Sequence, residues 1–138
     1  TIIMQSLSGQ EHIHLGSLTP TRDFNYVTDI CQGFVAIAHA DGVVGEIINI
    51  SSGREISIGD LATRISQQIN PNIEIICQRS RLRPDNSEVN RLLGSNRKMM
   101  ALTGWQPACD LDSGLEHTIK WFRQENQIYA NRKGIYNV

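Results

Sequence analysis

Apolar and polar positions along this chain switch between two periods, and the switches mark the predicted elements. Ile2 to Leu7 reads as the end of a helix closed by Gly9, His12 to Leu15 as a short strand, and Gly16 to Thr21 as a turn-rich loop carrying Pro20. Phe24 to Val27 is expected to be extended, with Thr28 or Asp29 capping a helix that runs to about Ala40. Ile30, Phe34, Ile37 and Ala38 recur there at helical spacing, and Asp41-Gly42 ends it. Glu46 to Ile50 is apolar at nearly every position, which predicts a strand covered on both faces, broken by Ser51-Ser52-Gly53.

The second half repeats the alternation. Ser57 with Asp60 forms an N-terminal capping pattern, after which Ile58, Leu61, Ala62, Ile65 and Ile69 make one helical face, stopped at Asn70-Pro71. Ile73 to Cys77 is a further strand, Gln78 to Asn86 an arginine-rich loop, and Glu88 to Leu93 an extended run. Ser95 is expected to cap a short helix to Leu102, ended by Gly104. Asp110 caps a last helix with Leu111, Leu115, Ile119 and Phe122 on one face. The tail, residues 126–138, is polar and expected to fray. Strands and helices mix with no composition break and no repeat, so residues 1–138 read as one α/β unit.

Composition narrows the function classes. With 138 residues, 40% hydrophobic and 20% charged, the chain can bury a core. A net charge of -1 gives no global field for nucleic acid or an anionic membrane, so anion binding must be local. No apolar run approaches the roughly 20 residues of a membrane span. Thr1-Ile2-Ile3-Met4 has neither an initiator Met nor a basic stretch, so we expect no signal peptide and a chain that starts in mid-element, as part of a longer protein. Cys31, Cys77 and Cys109 are odd in number and form no C-x-x-C; small buried thiols in a reducing cytoplasm are the expectation. His12 and His14 share one face of their strand, but no acidic or thiol partner is apparent and no metal site is expected.

Arginines carry the candidate chemistry. Arg22 stands at the mouth of a short strand directly before a helix, where one guanidinium can be held against an anion; pairing with the adjacent Asp23 is the plainer alternative. Arg79-Ser80-Arg81-Leu82-Arg83-Pro84 puts three arginines within five residues, a repulsive arrangement unless an anion or an acidic neighbour compensates. Alternation would set them on one side of an extended run, and Pro84 biases Arg83 toward extended backbone. Arg22 and Arg83 converging would make a diphosphate clamp, because guanidinium forks donate in pairs to phosphate oxygens. Glu88 could accept from a ribose diol, with Asp85 competing for the role, and a solvated surface carboxylate is the plainer reading of both. Tyr129 and Lys133 match a Y-x-x-x-K acid/base pair, but they follow the last apolar helix with nothing to desolvate them, and we read the match as coincidence. No G-x-G-x-x-G dinucleotide fingerprint, G-x-S-x-G, H-E-x-x-H or Walker sequence occurs.

Several segments together resemble one family. Arg22-Asp23-Phe24-Asn25-Tyr26-Val27-Thr28-Asp29 is similar to the R-D-x-x-x-V-x-D element of extended short-chain dehydrogenase/reductases acting on nucleotide sugars. Glu46 to Gly53 resembles their E-x-x-N-I-G-S-G strand and turn, with Ser51 where glycine is usual. Arg83-Pro84 opens a segment like their R-P-x-x loop, and Gly104-Trp105-Gln106-Pro107 with Leu111, Gly114-Leu115, Thr118-Ile119 and Trp121 is similar to their closing pattern. Leu15 to Phe24 and Arg83 to Leu92 look nearest to NAD-dependent 4,6-dehydratases of nucleotide-linked N-acetylhexosamines.

The resemblance implies the C-terminal, nucleotide-sugar-binding portion of a Rossmann-type enzyme. NAD and the catalytic Tyr and Lys would belong to an N-terminal part that this chain lacks. It implies a cytoplasmic homodimer in surface-polysaccharide or deoxysugar synthesis, converting an NDP-hexose to a 4-keto-6-deoxy sugar. A 4-epimerase or decarboxylase on the same frame, or a non-catalytic binding module, is the alternative. By the same resemblance Arg22 and Arg83 contact the substrate diphosphate, Glu88 holds the ribose, and the strand around Leu15 flanks the base.

Overall fold

A serine and an aspartate start the helix around which this chain is built. The Ser57 hydroxyl accepts from the Asp60 N–H at 3.0 Å and donates to the Asp60 carboxylate at 2.7 Å, which fixes the first turn of α3 (Ile58–Ile69). Leu61, Ala62 and Ile65 are buried along its inner face, as the spacing predicts. One side of α3 meets the parallel strands β1 (His12–Leu15) and β4 (Glu74–Cys77), where Ile13, Leu15, Ala62 and Ile73 close a core. Leu61 and Ile65 pack on Ile119 of the last helix, α5 (Leu111–Gln124). The first helix, α1 (Ile2–Leu7), covers both clusters through Ile2. Its Gln5 side chain accepts from the His14 N–H at 2.8 Å and donates to the His14 carbonyl at 3.1 Å, standing in for a neighbouring strand on the open edge of β1. The computed structural model describes residues 1–84 and 87–124.

A second sheet, of three two-residue strands, lies beside this core in the order β3-β2-β5. Its centre is β2 (Thr21–Arg22), antiparallel to β3 (Ile56–Ser57) and parallel to β5 (Arg91–Leu92). Two further helices, α2 (Val27–His39) and α4 (Arg97–Thr103), complete the described chain, and Gly104 at φ 70° ends α4 as expected. Asp110 caps α5 through the N–H and hydroxyl of Ser113, at 2.8 and 3.0 Å.

Several expectations are corrected. Residues 46–50 form no strand, and Ile47 is 85% exposed: no described strand runs alongside to pair their backbone. The apolar face of α2 is largely uncovered, with Phe34 65% and Val35 58% exposed and only Asp29 and Gly33 buried. That helix starts at Val27, so Phe24 to Val27 is not all extended, and neither Thr28 nor Asp29 caps it. Asp29 is instead buried and accepts the Cys109 N–H at 3.0 Å. Helix α4 begins at Arg97 behind Asn96, not behind Ser95, and the Asn96 amide donates to the Ser51 carbonyl at 3.1 Å instead of capping the helix. Only Arg91 and Leu92 of the run from Glu88 are in a strand. Ser51, the departure from the usual glycine, takes no positive φ; Gly53 carries the left-handed turn at 72°.

The cysteines are also not buried: Cys31 and Cys77 are exposed and Cys109 is half-buried. Partial burial and then the Asp29 and Asp110 carboxylates push the Cys109 thiol above its ordinary pKa, the opposite of nucleophile activation. His12 does have an acidic neighbour, Glu74 at 3.1 Å, its register partner on β4. Among the described residues no group of three or more His, Cys, Asp or Glu side chains could hold a metal, and no helix is long and apolar enough to cross a membrane. The tail and its Tyr129/Lys133 match, and Asp85, lie outside the described residues.

Candidate nucleotide-sugar site

Being the middle strand of the small sheet is what fixes Arg22. It stands opposite Ile56 on one side and Leu92 on the other. Its side chain is only 22% exposed, and one terminal nitrogen donates to the Thr21 carbonyl at 2.8 Å. The other donates to Glu88, itself 18% exposed, at 3.2 Å. Two of the five guanidinium donors are thus held by the protein. The alternative, a local pair with Asp23, does not form. Asp23 turns to the opposite side, where its carboxylate accepts from Ser52, Gly53, Gly94 and Asn25.

Arg22 and Glu88, expected separately, are therefore brought together as an ion pair. Arg83 is exposed, on the segment leading to Glu88, and makes no hydrogen bond or ion pair with another described residue. Arg79–Arg81 form a 3-10 turn, so the arginines do not line one side of an extended run as alternation predicts. The turn is held because the Arg81 side chain reaches back to Gln78 at 2.8 Å and the Gln78 N–H bonds the Leu15 carbonyl at 2.8 Å. Leu15 itself is in the core, 6% exposed, so the expectation for its strand is narrowed to backbone and neighbours.

The other face of β2 has its own network. Arg91, register partner of Thr21, donates to Glu55 from two nitrogens, and the Thr21 hydroxyl adds a bond to Glu55 at 2.7 Å. These hydrogen bonds, that from Arg91 foremost, pull the Glu55 carboxyl from the usual 4.5 down to about 2. The network therefore stabilises the sheet fully above the usual value and is lost as pH falls toward 2. Glu55→Gln is expected to narrow the gap in urea midpoint between pH 7 and pH 3, measured by far-UV dichroism; an unchanged gap would show that the network adds nothing. An open groove of about 520 Å³ beside Glu55, lined also by Ser57, Asp60 and Arg64, excludes Arg22 and Glu88.

Short mixed strands and helices in this arrangement are the fold of Rossmann-type extended short-chain dehydrogenase/reductases. An epimerase from Methanothermobacter thermautotrophicus superposes with a TM-score of 0.84 at 26% identity, over 94% of this chain and 38% of that one. The family model described as GDP-mannose 4,6 dehydratase matches residues 1–118, and the chain belongs to this family of nucleotide-sugar dehydratases and epimerases. It is 34% identical over 133 residues to UDP-glucuronic acid decarboxylase 1 of Xenopus tropicalis, covering 96% of this chain and 30% of the decarboxylase. WbmF of Bordetella bronchiseptica, solved in complex with NAD+ and UDP, is 32% identical with a TM-score of 0.77, over 95% of this chain and 37% of that one. The chain thus spans about a third of the length of these relatives.

What the sequence did not reveal is the work of the acidic residues within R-D-x-x-x-V-x-D. Asp23 and Asp29 are both staples between segments distant in sequence. No local signal could have found them, because the backbone donors lie 29 to 80 positions away along the chain.

Proposed function

We propose that this chain is the substrate-binding portion of an NAD-dependent nucleotide-sugar 4,6-dehydratase, which removes water from an NDP-hexose to give a 4-keto-6-deoxy sugar. The observation that carries the reading is Arg22: a guanidinium held in the central strand of a sheet, less than a quarter exposed, with donors left over. Arg83, exposed a few residues before Glu88, is the second diphosphate ligand in this reading. Glu88 orients Arg22 and offers its remaining oxygen to the ribose. These contacts lie on the part of the substrate that does not react, where binding energy goes into holding the sugar in place. The strand around Leu15 would lie along the base.

The described residues do not fit a dinucleotide. The parallel strands β1 and β4 run into a loop at Gly16 and a 3-10 turn at Arg79, not into a glycine-rich helix start. We therefore assign NAD to the remainder of the protein, together with the groups that move protons. The uncovered face of α2 and the unpaired apolar segment 46–50 are what such a remainder would cover, by extending its sheet. A cytoplasmic homodimer serving polysaccharide or deoxysugar synthesis completes the reading.

Two assays test it. The full-length protein, given NAD and a panel of UDP-, dTDP- and GDP-hexoses, is expected to yield a 4-keto-6-deoxy product seen by mass loss of water. The isolated chain is expected to yield none. Retention of the 6-hydroxyl with inversion at C4, or release of carbon dioxide, would replace the dehydratase by an epimerase or a decarboxylase. Product from the isolated chain would overturn the division of labour.

A further inference from the structure

We infer that Asp23 is the positioning residue for Arg22, setting the register in which its guanidinium meets a diphosphate; this rests on the reading of Arg22 given above. β2 is two residues long, and its ladders to β3 and β5 are each two residue pairs. So short a ladder specifies its own register weakly, and a slip of one residue would carry Arg22 to the other face of the sheet. The arginine stem is long and flexible, so its contacts to the Thr21 carbonyl and Glu88 locate the guanidinium only if the backbone beneath is already located.

Asp23 supplies that constraint. Residues 22 and 23 point to opposite sides of the extended chain, so the carboxylate works behind Arg22 without competing for it. Oδ1 accepts the Ser52 N–H at 3.1 Å, the Ser52 hydroxyl at 2.6 Å and the Asn25 amide at 3.1 Å. Oδ2 accepts the Gly53 N–H at 3.0 Å and the Gly94 N–H at 3.3 Å. One side chain thereby ties β2 to the turn after residues 46–50 and to the backbone two residues beyond β5. Every contact is a donor to carboxylate oxygen, and bonds to an ionised acceptor are the stronger kind. An asparagine of the same shape would turn an NH₂ toward N–H groups on one side, losing that half of the staple.

The test uses the full-length protein and compares affinities for a nucleoside diphosphate and its monophosphate by calorimetry. UDP/UMP, dTDP/dTMP and GDP/GMP are tried first, and the pair bound tightest by the wild type is used; a wild type that binds none overturns both this inference and the reading beneath it. Asp23→Asn is expected to cut the preference for the diphosphate by about fivefold or more, as for one well-aligned hydrogen bond lost. Monophosphate affinity should hold. In an Arg22→Ala background Asp23→Asn should cost nothing further in that preference, since the two act as one unit. A purely structural Asp23 would lower the melting temperature and weaken both ligands alike, leaving the ratio intact, and that result overturns the inference. If Arg22→Ala itself leaves the ratio intact, the reading of Arg22 falls and takes the inference with it. Should Asp23→Asn fail to fold, Ser52→Ala decides: it removes the 2.6 Å donor to Asp23, and with it the hydroxyl's bonds to the Arg54 N–H and carbonyl at 3.1 and 3.3 Å. A ratio lowered about twofold or more supports the inference, and an unchanged one overturns it.

Discussion

Arg22→Ala in the full-length protein is expected to weaken nucleoside-diphosphate binding by roughly 30- to 100-fold, about 2–3 kcal/mol, toward the upper end for a charged hydrogen-bond partner. The effect should exceed that of an ordinary phosphate contact because Glu88 stays behind. In the wild type Glu88 is paired with Arg22 and largely buried. Without the guanidinium an uncompensated carboxylate would face an incoming polyanion, and like charges a few ångströms apart in partly desolvated surroundings repel by a few kcal/mol. Glu88→Gln added to Arg22→Ala should then recover part of the lost affinity, whereas a Glu88 acting on ribose alone would make the double variant worse. Arg83→Ala is expected to cost about 1.5 kcal/mol, less because the residue is exposed and more readily replaced by water and salt. Calorimetric titration with whichever of UDP, dTDP and GDP the wild type binds tightest decides each case. An affinity within threefold of wild type for Arg22→Ala would remove that residue from the site.

How far these residues could be read from sequence depends on what each signal encodes. The core helix α3 was legible because its cap and its apolar stripe are local properties, and both appear as expected. The parallel pair β1–β4 was legible as two strands, though not as partners, since pairing is a long-range choice that alternation does not carry. Residues 46–50 misled for a physical reason: apolar patterning reports what a segment would bury, and in this chain no described strand lies alongside it. The face of α2 misled in the same way. At the candidate site, Arg22 and Glu88 were both picked out by chemistry, yet 66 residues separate them and only the fold joins them. Sequence adjacency makes an Arg22–Asp23 pair the plainer alternative to an anion site, and that alternative fails. In extended backbone adjacent side chains diverge, and the carboxylate serves other segments.

Gly94→Ala is expected to destabilise the protein by about 1–3 kcal/mol, the usual cost of an overpacked site, and Ser51→Gly is expected to restore most of the loss. A methyl group at position 94 would lie 2.4 Å from the Ser51 Cβ and 2.6 Å from its Oγ, while its next neighbour, an Asp23 oxygen, is at a comfortable 3.6 Å. The clash is thus with one side chain alone. Ser51 has little room to yield: it is 5% exposed, and its carbonyl is held by Asn96. The strain would pass to Ser52 and Gly53, whose N–H groups are seated on Asp23. Ser51→Gly deletes both clashing atoms together with a buried hydroxyl that has no hydrogen-bond partner, so the single change should itself be mild despite the freedom glycine adds to the unfolded chain. The two substitutions should therefore couple in a thermal-denaturation cycle by more than 1 kcal/mol, beyond the few tenths seen for independent sites. Strictly additive melting shifts would mean that residue 94 and the turn at 51–53 do not press on each other, and the staple at Asp23 would then lack the close packing described around it.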